Sequence, residues 1–220
     1  MQKPLPQHDF WKGDFGKKYL TRNTLSSKEL DQDYKKSFGI ERSVMNKEFL
    51  ASIPKDAKVL EVGANYGMQL RMLSELGFTN LYGVELNPAV AKAARETHSS
   101  FNIIEGNALD LPFKDNYFDL VFTSNVLIHI APKNRKKAID EIVRCSRSYV
   151  WGFEYFNEES VEVPYRGHRN VLWKTDFPKL YKTTHPNLKL VRQNIYKDLA
   201  SENRDVMYLF KKGRRVASGK

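Results

Sequence analysis

The stretch from Lys58 to Leu70, KVLEVGANYGMQL, constrains this chain more than any other. Lys58 to Val62 is a short apolar run of strand type, Gly63 to Gly67 a glycine-bearing turn, and Met68 opens a helix. Together they predict a strand, turn and helix that cradle a nucleotide. A second apolar run, Leu81 to Val84, ends at Glu85, 24 positions after Glu61. That separation suits a carboxylate that hydrogen-bonds a ribose from the tip of the neighbouring strand.

Beyond Pro54 the apolar runs alternate with amphipathic ones, the pattern of an α/β fold with a parallel sheet and right-handed crossovers. Strands are expected at 58–62, 81–85, 101–105, 118–123 and 149–153. Helices are expected from Met68 to about Leu76, from the Asn87-Pro88 cap to His98, and after Pro132. A short helix over 175–183 should be capped by Thr175, and 188–196 and 206–210 read as two antiparallel strands on one edge. Two amphipathic helices, 27–38 and 40–51, precede the sheet, the first capped by Ser26 or Ser27. Ahead of them 8–23, HDFWKGDFGKKYLTRN, crowds Phe10, Trp11, Phe15 and Tyr19 into one segment. The division expected is one domain over 1–212: a helical lid (1–52), a binding core (53–160), and a substrate loop with the C-terminal strands (161–212). The basic residues 213–220 are expected to be a frayed tail.

Charge and composition narrow the function classes. The net charge of +10 invites a nucleic-acid reading, but Lys211, Lys212, Arg214, Arg215 and Lys220 supply five of those charges within the last ten residues. No ribonucleoprotein aromatic box is present. The single cysteine, Cys145, excludes an internal disulfide and reads as a packed thiol. No Cys or His pair has zinc spacing, so no metal is expected. No run approaches the roughly 18 apolar residues of a membrane helix, and the N-terminus lacks the apolar core of a signal peptide, so cytoplasmic residence is expected.

Two phosphate-binding readings of the turn weaken on inspection. A P-loop ends in Gly-Lys-Ser/Thr, whereas Gly67-Met68-Gln69 has neither the lysine nor the hydroxyl. A dinucleotide fingerprint needs glycine where Asn65 and Met68 stand. What is left, Glu61-x-Gly63-x-x-x-Gly67, resembles the class I, Rossmann-like S-adenosylmethionine-dependent methyltransferases. VLEVGANYG, GVELNP, EGNALDLPFKDNYFDLVFTSNVLIHI and EIVRCS, in that order, look like the successive motifs of that class. More narrowly, FWKGDFGKKYLTRN and EYFNEESVEVPYRGHRNVLWKTDF resemble the pseudaminic acid biosynthesis-associated methylases, a likeness that runs nearly to Phe210.

The resemblance implies a mostly parallel seven-stranded sheet with an antiparallel C-terminal strand, helices on both faces and an N-terminal helical lid. It implies S-adenosylmethionine as cofactor, with S-adenosylhomocysteine as product. Glu61, Gly63, Ala64, Asn65 and Gly67 would surround the methionine part, and Glu85 would hold the ribose hydroxyls. Leu86 would pack on adenine, Asn107 and Ala108 would meet its edge, and Ser124 and Asn125 would lie beside the sulfonium. Asn65 replaces the commoner glycine but enters left-handed conformations readily. Asn107 stands where aspartate is frequent and still offers an amide oxygen. Each also has a plainer reading: Glu61 as a cap for its turn, Glu85 as a surface carboxylate, Ser124 and Asn125 as turn residues.

A sulfonium methyl is already activated, so the protein must hold an acceptor in line and exclude water. Aromatic faces suit a sulfonium, which makes Trp11 and Tyr19 lid candidates, with Arg22 and Asn23 fixing ligand or lid. The alternative is that these aromatics staple an N-terminal helix to the sheet. For a hydroxyl acceptor the candidate bases are His129 and His168, then Glu154 and Tyr165. For a carboxylate acceptor no base is needed, and Arg166 or Arg169, with Tyr165, would bind an acidic sugar. The expectation is therefore methyl transfer to a small molecule, a sugar or nonulosonic-acid-type intermediate of surface glycan biosynthesis. RNA methylation through the basic tail, and a non-catalytic cofactor-binding regulator, are the alternatives.

Overall fold

The computed structural model describes residues 6–13, 16 and 25–213. Tyr19, Arg22 and Asn23, and the tail from Arg214, lie outside the described residues. An N-terminal helix α1 (Pro6–Lys12) is followed by α2 (Ser27–Phe38) and α3 (Arg42–Phe49). Ser26 caps α2 through a reciprocal bond with Glu29, and Gly39 ends it at φ +73°. The turn needed at Gly39 moves the start of α3 to Arg42, two residues later than the sequence pattern suggests.

The sheet then builds as expected: β1 (Lys58–Val62), α4 (Met68–Glu75), β2 (Asn80–Glu85), α5 (Pro88–Thr97), β3 (Asn102–Glu105) and β4 (Phe118–Ser124). A 3-10 turn (Leu127–His129) leads into α6 (Pro132–Cys145) and β5 (Ser146–Tyr155). A small ladder pairs β6 (Val161–Glu162) with β7 (Trp173–Lys174), and α7 (Phe177–Thr184) precedes β8 (Leu188–Lys197) and β9 (Arg204–Lys212). The cap of α7 is Asp176, whose carboxylate accepts from the Lys179 N–H, and not Thr175.

The seven strands lie in the order β3-β2-β1-β4-β5-β9-β8. β9 alone runs against its neighbours, pairing antiparallel with both β5 and β8. The reversal of strand order between β1 and β4 opens the sheet at their C-terminal ends, where ligands bind in such folds.

Side-chain alternation divides the core between two faces. Val206, Tyr208 and Phe210 of β9 join Leu60 and Val62 under α6 and α7. Met207 and Leu209 join Val59, Leu70 and Phe49 under α3, α4 and α5. β5 extends to Tyr155 because β9 pairs with it along its whole second half; the apolar run alone stopped at Phe153.

Candidate functional site

The turn after β1 is set by glycine where the backbone demands it. Gly63 has φ +76°, and a Cβ there would lie 2.6 Å from Val126 Cγ2, so only glycine lets this turn approach the one after β4. Gly63 and Ala64 both donate their N–H groups to the Val84 carbonyl, tying the turn to β2. Asn65 adopts φ +47°, the left-handed conformation its position in the motif calls for. Gly67, at φ +79°, opens α4.

Two adjoining cavities lie over this turn. The first, about 200 Å³, is lined by Glu85, Leu86, Asn107 and Ala108 on one side and His129 and Trp11 on the other. Glu85 is held in place as an acceptor: Oε2 takes the Asn65 N–H at 2.9 Å and Oε1 the Asn87 N–H at 2.8 Å. Burial raises its carboxyl against these bonds. Asn107 Oδ1 accepts from the Leu109 N–H at 2.9 Å, which leaves its amide nitrogen and a second lone pair for a ligand. Among the described residues no lysine or arginine lines this cavity.

The roof of the first cavity is α1. Asn87 caps α5 with its Oδ1 and donates from Nδ2 to the carbonyls of Trp11 and Lys12, at 3.2 and 3.1 Å. Lys12 pairs with Glu105 at 3.1 Å. Trp11 thereby sits 4.4 Å, ring to ring, from His129. The sequence flagged Asn87 as a helix cap; its second role, holding α1, was not legible there.

The second cavity, about 370 Å³, shares Gly63, Asn65, Ser124 and Asn125 with the first and extends toward α2 and the start of β9. Glu61 lines it, is 3% exposed, and has no partner for Oε2. Burial drives its carboxyl well above the usual carboxylate range, with Arg42 opposing. Arg42 is fully buried beneath, giving Nε to Asn46 Oδ1 (2.8 Å), Nη1 to the Tyr34 hydroxyl (3.1 Å) and Nη2 to Ser124 Oγ (3.3 Å). Its guanidinium also lies 4.3 Å from the Phe153 ring centre. Sequence reading missed Arg42 because helical periodicity alone does not separate an arginine on the buried side from a solvated one.

The candidate bases divide sharply. Glu154 is fully buried and accepts from the N–H groups of Val126, Leu127 and Ile128, at 3.2 to 3.3 Å, so it caps the turn after β4. It lines neither cavity. His129 lines the first; its Nδ1–H donates to the Val171 carbonyl at 2.8 Å, and burial lowers its pKa to about 4. A neutral ring with its proton on Nδ1 is the result. His168 is exposed beside Phe10, with ring centres 4.9 Å apart. Arg166 and Arg169 are exposed on the same loop, and Tyr165 packs 5.4 Å from the His129 ring. None of these four lines either cavity, so the structure does not bring the arginine pair to the nucleotide turn. Among the described residues no group of three His, Cys, Asp or Glu has metal-binding geometry.

Known proteins share this architecture. Residues 60–149 match the model of the methyltransferase domain family. An uncharacterised protein of Haemophilus influenzae is 34% identical over 96 residues, which cover 41% of this chain and 38% of that protein. The tRNA (carboxymethyluridine(34)-5-O)-methyltransferase alkbh8 of Xenopus tropicalis is 30% identical over 114 residues, 49% of this chain and 17% of that one. The chain thus spans less than half the length of these curated relatives. Among solved structures, the 1,6-didemethyltoxoflavin-N1-methyltransferase of Burkholderia thailandensis, with bound 1,6-didemethyltoxoflavin and S-adenosylhomocysteine, superposes with a TM-score of 0.67 at 14% identity. That superposition covers 97% of this chain and 93% of the other, and it shows a shared fold.

Proposed function

We propose, from the match of residues 60–149 to the methyltransferase domain family and from the Rossmann-like sheet, that the chain transfers the methyl group of S-adenosylmethionine to a small-molecule acceptor. The observation that carries the reading is the pairing of the two cavities across Gly63. The first offers a ribose acceptor in Glu85 and apolar walls in Leu86 and Ala108, with no cation for a phosphate among the described residues. The second offers, at Glu61, a buried carboxylate oxygen without a donor, which is what the ammonium of an amino-acid moiety needs. A nucleoside joined to an amino acid without phosphates fits this donor set. A dinucleotide does not.

Bound there, S-adenosylmethionine supplies an electrophilic methyl on a sulfonium. The chain's own residues do the rest. Glu61 and Glu85 hold the two ends, Asn107 and Ala108 face the adenine edge, and Ser124 and Asn125 border both cavities where the methyl would sit. Trp11, held by Asn87, excludes water from above. His129, neutral over the physiological range, walls the cavity without placing a second cation beside a sulfonium.

A sugar or nonulosonic-acid-type intermediate of surface glycan synthesis is the acceptor we favour, on the resemblance of 10–23 and 154–177 to the pseudaminic acid-associated methylases. RNA is the second reading, favoured by the +10 charge and by the tRNA methyltransferase among the relatives. The test is calorimetry with S-adenosylhomocysteine, followed by incubation of the protein and labelled cofactor with an extract of cells that make nonulosonic acids. Label in a small molecule supports the reading, label in RNA transfers it to the second, and absence of cofactor binding removes both.

A further inference from the structure

The part of the second cavity away from Glu61 is walled by Asp33 and Tyr34 of α2, Tyr155 of β5, Asp198, and Asn203 and Asp205 at the β8–β9 hairpin. All four charged residues lining the cavity among the described ones, Asp33, Glu61, Asp198 and Asp205, are acids. Asp205 is 3% exposed, and its Oδ1 is buried without a hydrogen-bond partner. Gln69 Oε1 and Asn125 Oδ1 on the same cavity are also buried acceptors without donors. Two cations act nearby: Arg42, which is spent on Asn46, Tyr34 and Ser124, and Lys174, which donates to Asn203. Neither makes an ion pair with Asp205.

Buried acceptors left without donors are costly unless a ligand brings the donors. A carboxyl-bearing or phosphorylated group would instead meet like charges at close range. Aromatic rings beside carboxylates are the surroundings that suit an ammonium. Resting on the methyltransferase reading above, we propose that this end of the cavity is the acceptor subsite and that the group it takes is an amine, bound through its N–H groups to Asp205, with Asp33 and Asp198 adding negative potential. This narrows the sugar reading to an amino sugar and sets aside a carboxylate acceptor, a nonulosonic acid itself included. An ammonium that gives one proton to Asp205 Oδ1 becomes a neutral amine with a free lone pair, and the carboxylate becomes a carboxylic acid. No further reactant is needed for that step.

The test is a ligand-observed NMR titration of the full chain with glucosamine, N-acetylglucosamine and glucuronate, three probes on one ring, with and without S-adenosylhomocysteine. Glucosamine should bind about ten-fold or more tighter than either of the others, the worth of one charge-assisted hydrogen bond. The preference should vanish in Asp205→Asn, shrink in Asp33→Asn and survive in Glu61→Gln. An unchanged S-adenosylhomocysteine affinity and a melting temperature no lower than the parent's confirm Asp205→Asn as folded, since removing a buried charge at this position costs the fold nothing. Equal or stronger binding of glucuronate, absence of glucosamine binding at about 50 mM, an affinity too weak to matter in a cell, or an unaltered preference in Asp205→Asn overturns the proposal. If S-adenosylhomocysteine fails to bind while glucosamine keeps its preference, the methyltransferase reading falls and the amine site stands.

Discussion

Glu85 organises the turn after β1 and, in the function proposed, also grips the ligand, and its replacement separates the two roles. In Glu85→Ala the N–H groups of Asn65 and Asn87, now held at 2.9 and 2.8 Å, lose their acceptor. A stranded buried donor costs about 1–3 kcal/mol, but the carboxylate itself is destabilised by burial, so the net loss should be about 2–3 kcal/mol. For a chain of this size that lowers the melting temperature by about 5–10 °C. Affinity for S-adenosylhomocysteine should fall by a further 1.5–3 kcal/mol, about 10- to 150-fold, if the same oxygens accept the ribose hydroxyls. Glu85→Gln keeps one acceptor oxygen and should lose about half of each effect. Differential scanning fluorimetry reads the first quantity and calorimetry the second. A lowered melting temperature with unchanged affinity would show that Glu85 organises the turn and does not touch the sugar.

Three other outcomes follow from the geometry. Gly63→Ala should destabilise the protein by about 2–4 kcal/mol, through left-handed backbone cost and contact with Val126, and Val126→Ala should recover the contact share but not the backbone share. Full recovery, measured by denaturant unfolding, would refute that division. Burial raises Glu154 to about 7, so the native state binds its proton more tightly than the unfolded state does, and this residue's contribution to stability falls as pH rises from about 4.5 to 7. His129, lowered to about 4, runs in the opposite direction, so the quantity to measure is the variant minus the parent: Glu154→Gln should gain about 3 kcal/mol relative to the parent across that window, and a flat difference would exclude the linkage. Cys145, buried with its thiol pushed up to about 11, should not react with a thiol reagent at pH 8 until the chain unfolds; prompt reaction of the folded protein would contradict its packing.

The cradle was legible in the sequence because its parts lie within two successive units of strand, turn and helix. The left-handed positions at Gly63, Asn65 and Gly67, the Asn87-Pro88 cap and the carboxylate at the tip of β2 all follow from local backbone geometry and short spacing. The alternation of short apolar runs with amphipathic helical stretches likewise announced the parallel sheet, since strands covered by helices on both faces read as continuous apolar runs. Tertiary structure alone decided which distant groups meet. Arg42 reaches Ser124, 82 positions away, and the Asn87 amide reaches the Trp11 carbonyl, 76 positions away. Glu154 follows β5 like a candidate base, yet its carboxylate folds back onto three N–H groups of the turn after β4. The acids of the second cavity come from α2, β1, the β8–β9 turn and β9, and no spacing rule in one dimension predicts that four such segments line one cavity. Local propensities are encoded over a few residues, whereas the electrostatics of a buried site are a sum over groups that only strand order brings within a few ångströms of one another.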